Sequence, residues 1–176
     1  MTAIGRRGAL LVVAGAPVAL AGWAASARAA TDVQRLERLL SIERRLESTY
    51  ETAIRRGVLE PALAERLRDH EREHARGLER VLEEGDRRPL ATVPRPGLGA
   101  AIAGGERAFA RYALALESEA VAAYVDALAT LRDTSLLQPL GSIVTCEGQH
   151  LVALRRVAGE ELLPRAFESG GRSVVE

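Results

Sequence analysis

The sequence L-R-D-H-E-R-E-H-A-R-G-L, from Leu67 to Leu78, shares its pattern with I-V-T-C-E-G-Q-H-L-V-A-L, from Ile143 to Leu154. Each stretch contains a glutamate followed three residues later by a histidine: Glu71 with His74, and Glu147 with His150. Residues three apart on an α-helix are neighbours on one face, so a carboxylate and an imidazole at this spacing can reach the same metal ion. The repeated pair therefore predicts two helices that each carry metal ligands.

A second pair of stretches repeats in the same way. I-E-R-R-L-E-S-T-Y-E-T-A-I begins at Ile42, and L-E-S-E-A-V-A-A-Y-V-D-A-L begins at Leu116. In both, a glutamate stands seven residues before a tyrosine: Glu43 with Tyr50, and Glu117 with Tyr124. This pair has an offset of 74 residues and the Glu-x-x-His pair one of 76, so we interpret the chain as one helical hairpin used twice.

Apolar residues recur at helical spacing in four blocks, covering about residues 32–56, 60–84, 106–132 and 134–158. Gly57 suits the end of the first block, and Pro61 suits the first turn of the second. Residues 88–105, rich in proline and glycine, predict a long connection with at most a short turn of helix. Two tight hairpins joined by one long crossover define a ferritin-like four-helix bundle. The expected fold class is therefore all-α, with this architecture.

The candidate ligands fall at one height in such a bundle. Glu43 and Glu71 lie at similar distances on either side of the first turn, about 20 Å of helix at about 1.5 Å per residue. Glu117 and Glu147 lie similarly around the turn near Asp133. The full set is four carboxylates and two imidazoles: Glu43, Glu71, His74, Glu117, Glu147 and His150. This is the ligand set of di-iron and di-manganese carboxylate bundles. We expect two bound metal ions, with iron preferred, manganese as the alternative, and zinc able to enter through its affinity.

The expected burial of the glutamates favours a metal site over a chance pattern. Glu43 falls within an apolar stripe that contains Leu39 and Leu46, and an unpaired carboxylate facing the core costs several kcal/mol unless something compensates it. A metal ion would compensate it. Two alternatives stay open: Glu-x-x-His pairs can arise by chance on glutamate-rich helix surfaces, or the glutamates and histidines can pair within a helical interaction module without metal.

The letters H-E-R-E-H, from His70 to His74, also match the H-E-x-x-H of zinc peptidases, in which two histidines bind zinc beside a glutamate base. The repeat sets Cys146 opposite His70, so the first histidine is not reproduced. Arg80 stands where a third histidine would be needed, and Met1 is the only methionine. A zinc peptidase is therefore a remote alternative. We expect His70 to be a bystander or a partner of a ligand, and Cys146 to be a packing residue rather than a redox thiol.

With these residues in view, the chain resembles the ferritin-like domain proteins of bacteria, exported ones included, which are related in architecture to bacterioferritin and rubrerythrin. The resemblance covers about residues 32–158 and lies in the six predicted ligands. It implies that Glu71 and Glu147 each bridge two metal ions, and that Glu43 and Glu117 each bind one.

Tyr50 and Tyr124, two turns from Glu43 and Glu117, are the candidate catalytic residues. The resemblance implies that they act as partners of the ligands or as radical quenchers, and ordinary core packing is the alternative. Glu47, one turn from Glu43, could be a spare ligand, but we expect it to be exposed.

The first 29 residues have the order of a cleavable secretion signal, with Arg6-Arg7, an apolar run, and then small residues that allow cleavage after Ala29. The paired arginines resemble a twin-arginine (Tat) export signal. We therefore expect an exported protein, located in the periplasm, the cell envelope or outside the cell, that contacts a membrane only through an uncleaved signal. The expected organisation is a signal over 1–29, the bundle over 30–160, and an irregular C-terminal tail over 161–176.

Composition limits the function classes. The 24 arginines are interleaved with 24 acidic residues, there is no lysine, and the formal net charge is zero, so no patch for nucleic acid is expected. The single cysteine excludes an intrachain disulfide. We expect a di-metal oxidoreductase that oxidises Fe(II), with O2 or H2O2 as the oxidant, and a non-enzymatic metal-binding or stress-protective bundle is the alternative. A homodimer through one helix face is left open.

Overall fold

The computed structural model describes residues 17–83, 95–166 and 168–170, and these residues contain helices but no strand. The elements are α1 (Pro17–Arg56), α2 (Pro61–Glu83), α3 (Leu98–Ala103), α4 (Glu106–Thr130), a 3-10 turn (Thr134–Leu136) and α5 (Leu137–Ala158). Helices α1 and α2 form one antiparallel hairpin, α4 and α5 form the other, and α1 also packs on α4. The predicted ferritin-like four-helix bundle is confirmed.

The start of α1 differs from the prediction, because the helix begins at Pro17 rather than near Asp32. Proline suits a first helical position, and the alanine-rich residues that follow favour helix strongly. Only the backbone is described for residues 17–31, and residues 1–16, which include Arg6 and Arg7, lie outside the described residues. The secretion signal and its cleavage stay predictions. Within the described ranges, no helix combines the length and apolar character needed to cross a membrane.

The first hairpin turn forms as its sequence predicts. Gly57 adopts a left-handed conformation with φ 57°, which glycine tolerates without steric cost. Pro61 then occupies the first position of α2, while the Glu60 carboxylate accepts hydrogen bonds from the backbone N–H groups of Ala62 and Leu63 at 3.0 and 2.7 Å. These contacts satisfy two of the N–H groups that a helix start leaves without partners. The connection between α1 and α2 therefore spans only residues 57–60.

The crossover between α2 and α4 is described from Arg95 onward and contains the predicted short helix, α3. The Arg95 guanidinium donates hydrogen bonds to the Ser48 carbonyl oxygen at 2.7 Å and to the Thr52 hydroxyl at 3.1 Å. Residues 84–94, which include the predicted helix end at Gly85, lie outside the described residues. The described part of the crossover is thus attached to the first hairpin.

A buried carboxylate also joins the two hairpins. Asp32 accepts hydrogen bonds at 3.1 Å from the backbone N–H groups of both Arg132 and Asp133, in the turn between α4 and α5. Its other oxygen lies 3.2 Å from the Arg35 guanidinium. We refer to this set of contacts as the Asp32 tie. It holds the beginning of the predicted mature domain against the far hairpin.

The bundle interior consists of large apolar side chains above and below a polar layer. The fully buried members include Leu39, Leu46, Leu67, Leu78, Phe109, Leu151 and Leu154. Close packing of such residues excludes water, so the polar layer between them lies in a medium of low dielectric. In the tail, residues 161–166 and 168–170 contain no helix, and 171–176 lie outside the described residues.

Candidate metal centre

Each of the four long helices contributes one glutamate to the polar layer, and all four glutamates have 0% of their surface exposed. Helices α2 and α5 add one histidine each, with the His150 residue 3% exposed and the His74 side chain 11% exposed. The structure therefore brings all six predicted ligands together: Glu43, Glu71, His74, Glu117, Glu147 and His150.

The six residues form two overlapping groups of four. In the first group, Nδ1 of His74 lies 2.9 Å from Glu147 Oε1, 3.5 Å from Glu43 Oε2 and 3.5 Å from Glu71 Oε2. One ligand atom from each of these residues lies within 4.8 Å of all the others. Three carboxylate oxygens and one imidazole nitrogen thus surround a single point.

The second group is centred on the other histidine. Nδ1 of His150 lies 3.0 Å from Glu71 Oε1, 3.1 Å from Glu147 Oε2 and 3.6 Å from Glu117 Oε1. These four residues also offer ligand atoms within 4.8 Å of one another. The composition of the first group, three carboxylates and one imidazole, is repeated.

Two glutamates belong to both groups and divide their oxygens between them. Glu71 directs Oε2 toward His74 and Oε1 toward His150, while Glu147 directs Oε1 toward His74 and Oε2 toward His150. A carboxylate that bridges two metal ions needs one oxygen facing each ion. The family resemblance implied this division between shared and single glutamates, and metal binding itself stays a prediction.

Several buried atoms of this layer have no hydrogen-bond partner among the described residues. They are Glu43 Oε2, both carboxylate oxygens of Glu71, Glu117 Oε2, Glu147 Oε1 and His74 Nδ1. The last two approach to 2.9 Å without the alignment of a hydrogen bond. Buried polar atoms are nearly always paired, and leaving one unpaired costs about 1–3 kcal/mol. A cation between these atoms would satisfy them together, and oxygen and nitrogen donors without thiolate fit iron or manganese.

The pKa values of the carboxyl groups in this layer shift in opposite directions. Burial, together with the nearby Glu117 and Glu147, raises the pKa of Glu71 well above its usual value. Burial and the neighbouring Glu147 raise the pKa of Glu117 to about 7. For Glu147, burial favours the neutral form, but the close imidazoles of His150 and His74 outweigh it and lower the pKa.

The imidazoles retain protons in the absence of metal. Burial alone would lower the pKa of His74 and His150, yet the close carboxylates and Cys146 raise both pKa values well above the usual range. Protons on the imidazoles, and on Glu71 and Glu117, therefore reduce the negative charge of the layer. A metal ion would replace these protons, because metal ligands bind in their deprotonated forms.

The two predicted tyrosines contact the glutamates in a crossed arrangement. Tyr124 on α4 donates a hydrogen bond of 2.5 Å to Oε1 of Glu43 on α1, and Tyr50 on α1 donates one to Oε1 of Glu117 on α4. Each tyrosine thus donates its hydrogen bond to the glutamate of the other repeat. Burial and the carboxylates raise the pKa of both hydroxyls well above the usual value, so both keep their protons.

Glu47 does not have the expected exposure. The residue is 8% exposed, and its carboxylate is held by Arg44 at 2.6 Å and by Arg72 at 2.8 Å. The two guanidinium groups cover it, which is why the prediction of an exposed side chain was wrong. Glu47 belongs to neither group of ligands.

The two histidines of the H-E-x-x-H letters separate in space. His70 lies with its Nδ1 2.9 Å from Nε2 of His150, whereas His74 belongs to the first carboxylate group. Within the described residues, His70 and His74 share no group of candidate ligands, so the ligand pair of a zinc peptidase is not formed. The structure shows His70 as a partner of His150, a predicted ligand, rather than as a bystander.

Comparison with protein families agrees with this architecture. A family model described as a ferritin-like domain matches residues 31–160. The match covers most of the chain, and the protein belongs to this family. Searches of the curated proteins and of the solved structures found no match. The chain is thus a ferritin-like domain protein with a buried cluster of glutamates and histidines that could bind a metal.

Proposed function

We propose that the protein holds two metal ions, iron in preference and manganese as the alternative, in the six-residue layer, and that it oxidises Fe(II) with O2 or H2O2. The observation that carries the proposal is the division of oxygens at Glu71 and Glu147, each of which has one oxygen facing each histidine. Hydrogen bonding alone does not account for this arrangement, because both oxygens of Glu71 lack a partner among the described residues. Two bridged cations would use all four of these oxygens.

When bound there, a pair of redox-active metal ions supplies electron transfer and Lewis acidity toward an oxidant. The chain supplies a site with its ligands already in place. The Tyr124 hydroxyl holds Oε1 of Glu43, which leaves Oε2 of Glu43 directed toward His74. The apolar core around the layer excludes water and strengthens electrostatic interactions within it.

Reduction of the oxidant to water requires a source of protons as well as of electrons. Two Fe(II) substrate ions would give one electron each to H2O2, which also takes up two protons and leaves as two water molecules. His74, with its side chain 11% exposed, is the ligand nearest to solvent by exposure. The arrangement therefore supports proton entry on the His74 side of the layer.

Export is a separate part of the proposal. Its support is the sequence order in residues 1–29: paired Arg6-Arg7, an apolar run and small residues up to Ala29. A twin-arginine signal would carry a folded chain, so the metal would be inserted before export. The mass of the secreted chain tests it: a mature protein that begins at Ala30 is expected, and an intact N-terminus in a cell-associated chain would contradict cleavage.

The metal proposal is tested by anaerobic loading with Fe(II), a count of bound iron, and the absorbance change on addition of air or peroxide. We expect two ions per chain and rapid oxidation in the wild type. Glu71→Ala and Glu147→Ala should lose metal, since each removes a ligand from both groups. Glu47→Gln is the matched control, because it alters a buried glutamate outside both groups.

The outcomes separate the candidate functions. Absence of bound iron in the wild type would overturn the di-metal proposal. Bound iron without oxidation would replace the oxidoreductase with the non-enzymatic metal-binding or stress-protective bundle. Metal loss in Glu47→Gln equal to that in Glu71→Ala would show that the measurement reports folding rather than ligation.

A further inference from the structure

A third cluster of potential ligands lies on the outer side of His150. Its members are His70 from α2 and Cys146 and His150 from α5. Nδ1 of His70 is 2.9 Å from Nε2 of His150, and Sγ of Cys146 is 3.5 Å from the first nitrogen and 3.4 Å from the second. His150 thus offers Nδ1 to the carboxylates and Nε2 to this cluster.

We propose that His70, Cys146 and His150 form a separate zinc site with one nitrogen, one sulfur and one nitrogen ligand. Zinc binds nitrogen at about 2.1 Å and sulfur at about 2.3 Å, so tetrahedral angles separate neighbouring ligand atoms by about 3.4 Å (nitrogen to nitrogen) or 3.6 Å (nitrogen to sulfur). The three observed separations, 2.9, 3.4 and 3.5 Å, lie within about half an ångström of these values. Small side-chain movements would admit the ion.

The donor set selects a different metal from that of the carboxylate layer. Thiolate with imidazole suits zinc or copper, whereas carboxylate-rich sites suit iron and manganese. Copper sites with two histidines and one cysteine commonly add a weak axial methionine, and the only methionine of this chain is Met1, far from Cys146 in the sequence. Zinc is therefore the cation that these ligands fit best.

Access and coordination number also agree with zinc. His150 is buried, but His70 and Cys146 are both only partly buried, so the cluster has an open side toward solvent. An ion can enter from this side, and a water molecule can complete four ligands, as in zinc sites that keep one open position.

The site arises where the two repeats differ. His70 and Cys146 occupy equivalent positions, 76 residues apart, and they face each other across the bundle at 3.5 Å. Because one repeat supplies an imidazole and the other a thiol, the pair provides both ligand types at one point. If the carboxylate layer also binds metal, as in the proposed function, His150 would be a ligand there through Nδ1 and a zinc ligand through Nε2. It would have to release the protons on both nitrogens, so binding at one site would change affinity at the other.

Anaerobic titration of the full chain with Co(II) tests the site, because thiolate-bound cobalt has an intense near-ultraviolet charge-transfer absorption that carboxylate-bound cobalt lacks. We expect one thiolate-bound cobalt per chain, displaced by Zn(II). Cys146→Ser should abolish the absorption, while His70→Ala should weaken cobalt binding at this site by at least about tenfold. Cys146→His, which places the histidine of the first repeat in the second, should still bind cobalt at this site but lose the thiolate absorption.

Iron loading distinguishes this inference from the proposed function, because His70 and Cys146 are not ligands of the carboxylate layer. Cys146→Ser is expected to keep two bound irons, and thermal melting checks that each variant folds. No thiolate absorption in the wild type would overturn the zinc site. Absorption that His70→Ala leaves unchanged would also overturn it, since cobalt would then bind the partly buried Cys146 thiol without His70.

Discussion

The Tyr124 hydroxyl donates a 2.5 Å hydrogen bond to Glu43, a residue 81 positions away, although the sequence repeat pairs Glu43 with Tyr50. Tyr50 in turn donates to Glu117, so the two contacts cross between α1 and α4. Each tyrosine therefore fixes a carboxylate on the neighbouring hairpin. This arrangement makes the geometry of each ligand group depend on both hairpins.

Tyr124→Phe should weaken the binding of one of the two metal ions by about tenfold or more, because groups that orient ligands typically contribute that much to affinity. Glu43 Oε1 would lose its donor and the carboxylate could rotate away from His74. Competition titration with a metal chelator measures the effect. Tyr112→Phe is the control, since Tyr112 is only partly buried and lies against the core outside the ligand groups. Equal affinities in both variants would contradict the positioning role.

Glu71→Gln and Glu147→Gln should change the stability of the metal-free protein in opposite directions. The raised pKa of Glu71 means that the fold disfavours its charge, so the neutral amide should stabilise the metal-free chain by about 1–3 kcal/mol. The lowered pKa of Glu147 means that its charge is favoured by the histidines, and its loss should cost about 3 kcal/mol. Urea unfolding measures both, and changes of the same sign would contradict the assigned charges.

The metal-free protein should lose stability as pH rises from about 5 to about 8. Glu117 has a folded-state pKa of about 7, above the ordinary 4.5, so it binds its proton more tightly in the folded chain. The contribution of Glu117 to stability is complete below the ordinary pKa and is lost as the pH passes about 7. The raised pKa values of His74 and His150 also lower stability as the pH rises above their ordinary pKa of 6.5.

Metal should reverse this pH dependence. Because ions displace the protons of the layer, metal binding tightens as pH rises, and the stabilisation by metal should grow over the same range. Thermal melts with and without Mn(II) across this range provide the test, with Glu117→Gln as a variant that lacks the titrating group. A metal-free chain that becomes more stable toward about pH 8 would contradict the predicted protonation.

Asp32→Ala should destabilise the bundle by about 2 kcal/mol, because two backbone N–H groups would lose a charged hydrogen-bond acceptor. The ligand groups lie elsewhere, so the number of bound ions should not change. Chemical unfolding and a metal count are measured on the same sample, with Asp126→Ala, at an exposed position, as the control. A loss in the control as large as that in Asp32→Ala would show that the Asp32 tie contributes nothing specific.

Periodicity and repetition predict much of this structure. The Glu-x-x-His pair places a carboxylate and an imidazole on one helix face whatever the neighbouring helix is, so His74 and His150 could be located in advance. The end of α1 and the start of α2 followed from local signals, Gly57 and Pro61, whereas the start of α1 did not. The family match covers the same segment as the repeats.

Contacts between side chains on different helices could not be predicted from periodicity and repetition. The hydrogen bond from Tyr124 to Glu43 depends on how α4 packs against α1. The apolar pattern within the sequence of a single helix does not specify that packing. The burial of Glu47 was not predicted because part of its cover comes from Arg72, which lies on a different helix. His70 was set aside because the repeat does not conserve it between hairpins, yet that difference places a nitrogen beside Nε2 of His150.

The crossed tyrosines have the reciprocity of a twofold-symmetric homodimer, in which residue i of one subunit contacts residue j of the other and the reverse. Tyr50 and Tyr124 are equivalent positions, as are Glu43 and Glu117, so two identical hairpins related by a twofold axis would make both contacts. In these terms the crossover is a tether that raises the effective concentration of one half for the other. Because both halves belong to one chain, they can also differ, as they do at His70 and Cys146, which two identical subunits cannot.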